Sequence, residues 1–213
     1  MKILIADDHS VVRQGLKQIL KDEFPKVELG EAADSQSAID LVWKQDWDFV
    51  ILDIAMPGRS GLDVLKELKK ARPKLPVLIL SAHPEDQFAV RVLKAGAEGY
   101  MTKETATEEL VKAVKKILAG GKYVSTQLAE KLASDLHSPT DGLPHERLSD
   151  REYQVLCMIG TGKMVKEIAT DLSLSVKTIS TYRTRILEKM KVRTNAEIVQ
   201  YVVQHGLVPR QEP

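Results

Sequence analysis

Five short apolar runs alternate with five stretches of helical periodicity over the first 120 residues, and few folds accept that order. The runs fall at 3–6, 27–29, 49–52, 77–80 and 99–101. Most are β-branched or bounded by Asp, Pro or Gly, as strands buried on both faces are. Helical spacing covers about 10–22, 35–46, 61–71, 85–95 and 106–118. In the last of these, Leu110, Val111, Val114, Ile117 and Leu118 form one stripe, and Gly120-Gly121 stops it. Repeated βα units joined by right-handed crossovers build a five-stranded, doubly wound parallel sheet with helices on both faces. Ligands of such sheets gather at the carboxyl ends of the strands.

The pattern changes after Gly121. Leu128, Leu132 and Leu136 are spaced for one more short helix within 123–136, and HSPTDGLPHE (137–146) has the Pro, Gly, Ser and Asp content of a linker. Residues 147–206 read as four helices and no strand. Ser149 with Glu152 three residues on has the capping-box pattern, which Thr194 with Glu197 repeats. The first helix ends at Gly160-Thr161-Gly162 and a short one covers about 165–172. Ser173-Leu174-Ser175 is a turn whose last serine caps 176–190, and the final helix stops at Gly206. Two helices joined by a three-residue turn are the helix-turn-helix arrangement. The expected organisation is therefore an α/β domain at 1–121, a linker at 122–146, an all-α domain at 147–208 and a tail at 209–213.

The chain carries 31 basic and 30 acidic residues, so its bulk charge says nothing of a polyanion. The distribution does. Residues 1–122 hold 19 of each sign, 123–146 hold 1 basic against 4 acidic, and 147–213 hold 11 basic against 7 acidic. Within 176–193, Lys177, Arg183, Arg185, Lys189, Lys191 and Arg193 stand against Glu188 alone. A salt-bridged surface mixes both signs; this stretch is instead a local footprint for a polyanion. Cys157 is the one cysteine, which permits no internal disulfide and suits a reducing cytosol; flanked by Val155, Leu156, Met158 and Ile159, it reads as a core residue. No apolar run approaches the ~20 residues of a membrane span, and MKILIADD reads as a buried strand rather than a signal peptide. A cytoplasmic protein without a membrane partner is expected.

Several polar residues of the first domain fall at strand ends. Asp7 and Asp8 follow the first strand, Asp53 ends the third, Ser81 follows the fourth and Lys103 the fifth, so the topology brings them to one edge. Alone, each has a plainer role as a cap, a turn residue or a surface lysine. Together they have a chemistry. Crowded carboxylates repel unless a cation joins them, and Mg²⁺ suits two carboxylates, a backbone carbonyl (here Ala55), waters and a phosphate. A carboxylate such as Asp53 can attack phosphorus to give an aspartyl phosphate, with Mg²⁺, the Lys103 ammonium and the Ser81 hydroxyl facing the transferring oxygens.

These residues carry a resemblance. LIADDH (4–9), VILDIAMPGRSGLDVL (50–65), LILSA (78–82) and KAGAEGYMTK (94–103) resemble the receiver domain of bacterial response regulators, which has the flavodoxin-like fold. The resemblance implies phosphoryl transfer from a partner sensor histidine kinase to Asp53, and a switch in which Ser81 moves to the phosphoryl group and Tyr100 follows. It also implies that Ala55 and His83 tune dephosphorylation. Glu104 departs from the pattern, since many receivers have Pro after the lysine.

In the helix at 176–190, Val176, Ile179, Ile186, Leu187 and Met190 form the expected core stripe. LSDREYQVLCMIGTG (148–162), KEIATDLSLSVKTISTYRTRILEKM (166–190) and NAEIVQYVVQHGL (195–207) resemble the LuxR-type helix-turn-helix of the NarL/FixJ branch. By position in that motif, Ser180, Thr181 and Thr184 would read bases of double-stranded DNA, while Lys177, Thr178, Tyr182, Arg185 and Lys189 would hold phosphates. Ile198, Val199, Val202 and Val203 would serve a homodimer, the domain core, or both. The expectation is a DNA-binding transcriptional regulator switched by phosphorylation, and not an enzyme beyond its own phosphoryl chemistry. An aspartyl phosphatase would want a second acid where Ala55 stands, and a dinucleotide enzyme a Gly-rich turn where Asp-Asp-His stands. A receiver that never accepts a phosphoryl group and a protein-binding adaptor are the other readings the residues leave open.

Overall fold

The computed structural model describes residues 1–56, 59–82, 85–126, 128–130 and 143–207, the side chains of 86 and 87 excepted. The chain divides into two compact units, Met1–Ala133 and Ser134–Pro213.

The first unit is the parallel α/β sheet. Its strands are β1 (Lys2–Ala6), β2 (Glu28–Ala32), β3 (Phe49–Asp53), β4 (Val77–Ser81) and β5 (Gly99–Thr102), and its helices are α1 (Ser10–Glu23), α2 (Ser35–Lys44), α3 (Gly61–Ala71), α4 (Glu85–Lys94) and α5 (Ala106–Leu118). The strand order is β2-β1-β3-β4-β5, and every pair is parallel. Alternation along the strands sorts the core. Ile3, Ile5, Phe49, Ile51, Leu78 and Leu80 face α1 and α5, where they meet Leu16, Leu20, Leu110, Val114 and Ile117. Every residue of β3 and β4 is buried. The second strand departs from its expected place at 27–29. It begins later and buries only Ala32 fully, because an edge strand needs one covered neighbour rather than a continuous apolar run.

The second unit is helical: a 3₁₀ turn at Pro144–Arg147, then α6 (Asp150–Gly160), α7 (Val165–Asp171), α8 (Val176–Met190) and α9 (Asn195–Gln204). Ser149 and Glu152 make both bonds of the expected capping box. The second one forms by half: Thr194 Oγ1 accepts from Glu197 N–H, but the Glu197 carboxylate takes the Arg193 N–H instead of that of Thr194. In α8, Ile179, Ile186 and Met190 are buried and Leu187 half-buried, whereas Val176 is 47% exposed. As the first residue of its helix, Val176 projects past the domain core its stripe was expected to join.

The structured parts reach further than linker composition implies. His145 of the 3₁₀ turn is buried in the helical unit, where its Nδ1 pairs with the Tyr201 hydroxyl at 2.9 Å. Thr126 and Leu128–Glu130 are helical, as expected within 123–136, and the remainder of the linker lies outside the described residues.

Gly160 lets α6 and α9 approach closely: a Cβ there would stand 2.4 Å from Val202 Cγ1. Gly160→Ala should therefore cost the helical unit about 1–3 kcal/mol. In calorimetry of the full chain its transition should fall while the transition of the α/β unit stays in place.

Candidate phosphoacceptor site and nucleic-acid interface

β1 and β3 lie side by side, so their carboxyl ends bring Asp7, Asp8 and Asp53 to one crevice. Ligand oxygens of these three residues and a ring nitrogen of His9 all fall within 4.8 Å of one another. Asp7 and Asp53 are 1% and 0% exposed. Lys103 reaches in from the end of β5, donating from Nζ to Asp53 Oδ2 at 2.7 Å. The same Nζ lies 2.7 Å from Asp7 Oδ2 as an ion pair without hydrogen-bond alignment. The Ala55 N–H donates to Asp53 Oδ1 at 2.9 Å, which orients the carboxylate. Ser81 is fully buried at the end of β4, and its carbonyl accepts the Lys103 N–H at 2.8 Å, tying β4 to the lysine loop. Tyr100 is 1% exposed, a core aromatic of β5. His83 lies outside the described residues, and no described peptide bond is cis.

Two residues at this crevice had no role assigned from the sequence. His9 follows the acidic pair: its N–H donates to Asp7 Oδ1 at 2.8 Å, and its Nδ1 stands 2.9 Å from Asp8 Oδ1. Arg13, one turn into α1, donates to the Asp7 carbonyl at 2.7 Å and pairs with Glu31 on β2. The adjacency of Asp7-Asp8-His9 was the signal for the first; nothing local announces the second.

Burial pushes the Asp53 carboxyl above the usual range; Lys103 opposes this and the neighbouring Asp7 adds to it. Burial pulls the Lys103 amine down, but Asp53 and Asp7 outweigh it and hold the amine above its ordinary value, as an ammonium. Among the described residues, no aligned hydrogen-bond partner reaches the buried Asp7 Oδ2 and Asp8 Oδ1. Lys103 and His9 stand close to these oxygens without aligned hydrogen bonds, and a divalent cation would complete their coordination. A cation-assisted carboxylate nucleophile flanked by an ammonium is the chemistry this arrangement supports.

In the helical unit, Ser175 caps α8 by accepting the Thr178 N–H, and Lys177, Ser180, Thr181, Thr184 and Arg185 are exposed along that helix. Thr178 and Tyr182 are half-buried. The hydroxyls of Ser180, Thr181 and Thr184 donate to carbonyls one turn back at 2.9–3.1 Å, leaving oxygen lone pairs to face outward. Lys189 differs from the other cations expected to hold phosphates. Its Nζ donates to Glu152 Oε2 at 2.6 Å, and Glu152, the capping-box acid of α6, is 3% exposed. Arg183 Nε likewise donates to Asn195 Oδ1 at 2.6 Å, joining α8 to α9.

A receiver-type acidic crevice followed by a helix-turn-helix defines a response regulator with a DNA-binding domain. Residues 3–115 match the response regulator receiver domain model, and residues 146–202 match that of the bacterial regulatory proteins of the luxR family. The response regulator GacA of Pseudomonas aeruginosa is 36% identical over 209 residues, 98% of each chain, and the response regulator UvrY of Escherichia coli K12 is 32% identical over 97% of this chain and 95% of its own. The structure of RcsB from Salmonella enterica serovar Typhimurium, bound to promoter rprA with the phosphomimetic BeF₃⁻, matches with a TM-score of 0.63 and 30% identity over 95% of this chain and 98% of its own. The chain belongs to the response regulators that join a receiver domain to a LuxR-type DNA-binding domain.

The raised Asp53 carboxyl carries a pH signature. A group whose folded-state pKa exceeds its unfolded value contributes stability that is present below the unfolded pKa and is lost as pH rises through the folded one. Without divalent cation, Asp53→Asn should therefore melt higher than wild type at neutral pH. The gap should close on acidification below about pH 4, the ordinary Asp range. Lys189→Ala should lower the helical transition by about 1–2 kcal/mol, less than a fully buried pair because the lysine is half in water. Lys177→Ala should leave that transition in place.

Proposed function

We propose that the chain is a cytoplasmic transcriptional regulator in which Asp53 accepts a phosphoryl group from the phosphohistidine of a partner sensor histidine kinase. The observation that carries this reading is the Asp7, Asp8, Asp53 and Lys103 constellation with its orphaned carboxylate oxygens. In the transfer, an Asp53 carboxylate oxygen forms the O–P bond as the histidine N–P bond breaks, and Lys103 shifts its ammonium from the carboxylate to the phosphoryl oxygens. Asp7, Asp8, Asp53 and the Ala55 carbonyl would hold Mg²⁺. The ion, when bound, neutralises charge that builds on the transferring oxygens. The Ser81 hydroxyl is the donor that the new phosphoryl oxygens draw toward Asp53, and Tyr100 repacks behind it. Water later cleaves the aspartyl phosphate, and no other reaction is assigned to the chain.

The output is duplex DNA binding by α8. Ser180, Thr181 and Thr184 face base edges; Lys177, Thr178, Tyr182 and Arg185 hold phosphates; Lys189 contributes its field from its pairing with Glu152. The two units are covalently joined, so a switch in one can bias the other by changing occlusion of α8, dimerisation, or both. On α9, Ile198 and Val202 are buried while Val203 is 53% exposed and Val199 half-buried. One side of the helix thus closes the core, and the other is left for a second copy. A homodimer would set two α8 helices on half-sites about one helical turn apart.

The test is duplex affinity at fixed salt against a genomic fragment pool, with and without Mg²⁺ and beryllofluoride. Wild type should tighten on adding both, and Asp53→Asn should not respond. Equal binding in every condition would remove the switch; no binding at all would favour a protein partner for α8. Lys177→Ala or Arg185→Ala should weaken binding to all sequences alike and reduce the salt slope by about 1, whereas Thr181→Ala should shift sequence preference.

A further inference from the structure

The chain does not leave the α/β unit where α5 ends. Tyr123 makes a parallel bridge with Gly99 and so extends the sheet past β5, its outermost strand. Its N–H donates to the Glu98 carbonyl at 2.8 Å, and its carbonyl accepts the Tyr100 N–H at 3.2 Å. Lys122 Nζ donates to the Ala97 carbonyl at 3.2 Å. The Tyr123 hydroxyl donates to Glu109 Oε2 on α5 at 2.7 Å. Ser125 N–H donates to Glu85 Oε1 at the start of α4 at 3.2 Å, and Ser125 Oγ accepts the Leu128 N–H at 3.1 Å. Leu128 is 3% exposed. The fit is close: a Cβ on Gly99 would stand 2.8 Å from the Tyr123 carbonyl oxygen.

Four parts of the unit therefore hold one short segment, and they are not equivalent. Glu98 and Glu109 belong to the α4–β5 connection and to α5. Glu85 lies four residues after Ser81, and Tyr100 lies within β5 itself. The last two are where displacement arrives if Ser81 is drawn toward Asp53 and the Tyr100 ring repacks. We infer that residues 122–126 form a strap that reports the state of the Asp53 site: docked when Asp53 is unmodified, and released from its Ser125 end when Asp53 carries a phosphoryl group. This rests on the phosphoryl-switch reading above.

Release proceeds from Ser125, which is held to α4 through the Glu85 carboxylate, whereas Tyr123 keeps its bonds to Glu98 and Glu109. The phenol is a durable clamp. Burial, and then the Glu109 acceptor, push its pKa up, so the O–H remains a donor through neutral and mildly alkaline pH. Where Leu128, whose N–H is bonded to Ser125 Oγ, comes away with it, the freed residues add length to the connection leading to the helical unit and widen the positions α8 can reach.

Hydrogen exchange on the full-length chain, read by mass spectrometry with Mg²⁺ and with or without beryllofluoride, tests this. In wild type the anion should slow exchange across 52–56 and speed the Ser125 amide roughly tenfold, as for loss of one hydrogen bond to a charged acceptor. Tyr123→Phe should exchange fast at 123–125 before any anion is added. Glu109→Gln, which keeps an acceptor on α5, should fall between the two and guards against a misfolded first variant. If 52–56 slows while 123–125 does not change, the strap is overturned and the phosphoryl reading stands. If 52–56 does not slow either, the phosphoryl reading has failed and the strap fails with it. Exchange at 123–125 in Tyr123→Phe as slow as in wild type would also overturn it, since the phenol would not be the clamp.

Discussion

Asp53 is a carboxylate with no access to water, set beside a second buried carboxylate and held by a single ammonium. Most of the first unit follows from keeping that unfavourable group in place. The strand order puts β1 against β3, so Asp7 and Asp53 cannot avoid one another, and the fully buried β3 removes the solvent that would otherwise screen them. Lys103 can answer only because β5 ends at the same edge and the Ser81 carbonyl fixes the Lys103 backbone. Arg13 ties α1 to the Asp7 carbonyl and to Glu31, so the helix that leaves the acidic pair is held against the sheet. Repulsion is concentrated in one crevice and attraction is spread over several elements, which lets a bound cation or a phosphoryl group change the balance.

How much of this could be read from the residues depended on whether the cause was periodic or spatial. The strands and helices of the first unit came from alternation and from apolar stripes, because a strand buried on both faces leaves no other pattern. β2 slipped because an edge strand need not be apolar. The acidic crevice was legible since the topology alone brings strand ends together, and Asp8, Asp53 and Lys103 sit at such ends. Arg13 was not legible, because its partners are a backbone carbonyl and a residue on another strand. Val176 was misplaced for a related reason: helical spacing assigns a face, but not whether the first turn still lies over the core.

The helical unit shows the same distinction in its polar contacts. The Ser149–Glu152 box is local and was visible as a spacing. The bond from Lys189 to Glu152 crosses from α8 to α6 and was not, although it changes what Lys189 can do: a lysine that satisfies a buried carboxylate is less free to follow a phosphate than Lys177 or Arg185. Helix α8 is thus partly oriented by one of its own cations. Arg183, through Asn195, fixes its other side to α9. A rigid recognition helix would lose less conformational freedom on binding, so in the proposed DNA complex these cations would raise affinity by positioning as well as by charge.

Asp53 and Glu152 make a useful contrast, since each is a buried acid held by a lysine from another element. For Glu152 burial is outweighed by its bonds to Lys189 and to Ser149, and the carboxyl is held below its ordinary value. For Asp53 burial prevails over Lys103, and Asp7 adds to it, so the carboxyl is pushed up. Both acids have donors on their carboxylates, and the lysine contacts are nearly the same length at 2.6 and 2.7 Å, yet only the charge of Asp53 is poorly accommodated. An acid whose charge is well accommodated holds its fold and has no reason to react. One crowded by burial and a second carboxylate has a standing preference for anything that brings positive charge, which is what a cation offers. The surroundings, rather than the pair, decide which acid is structural and which is chemical. Removing Asp7's charge should therefore move Asp53 toward the behaviour of Glu152, leaving it more comfortable as a carboxylate and with less need of the cation.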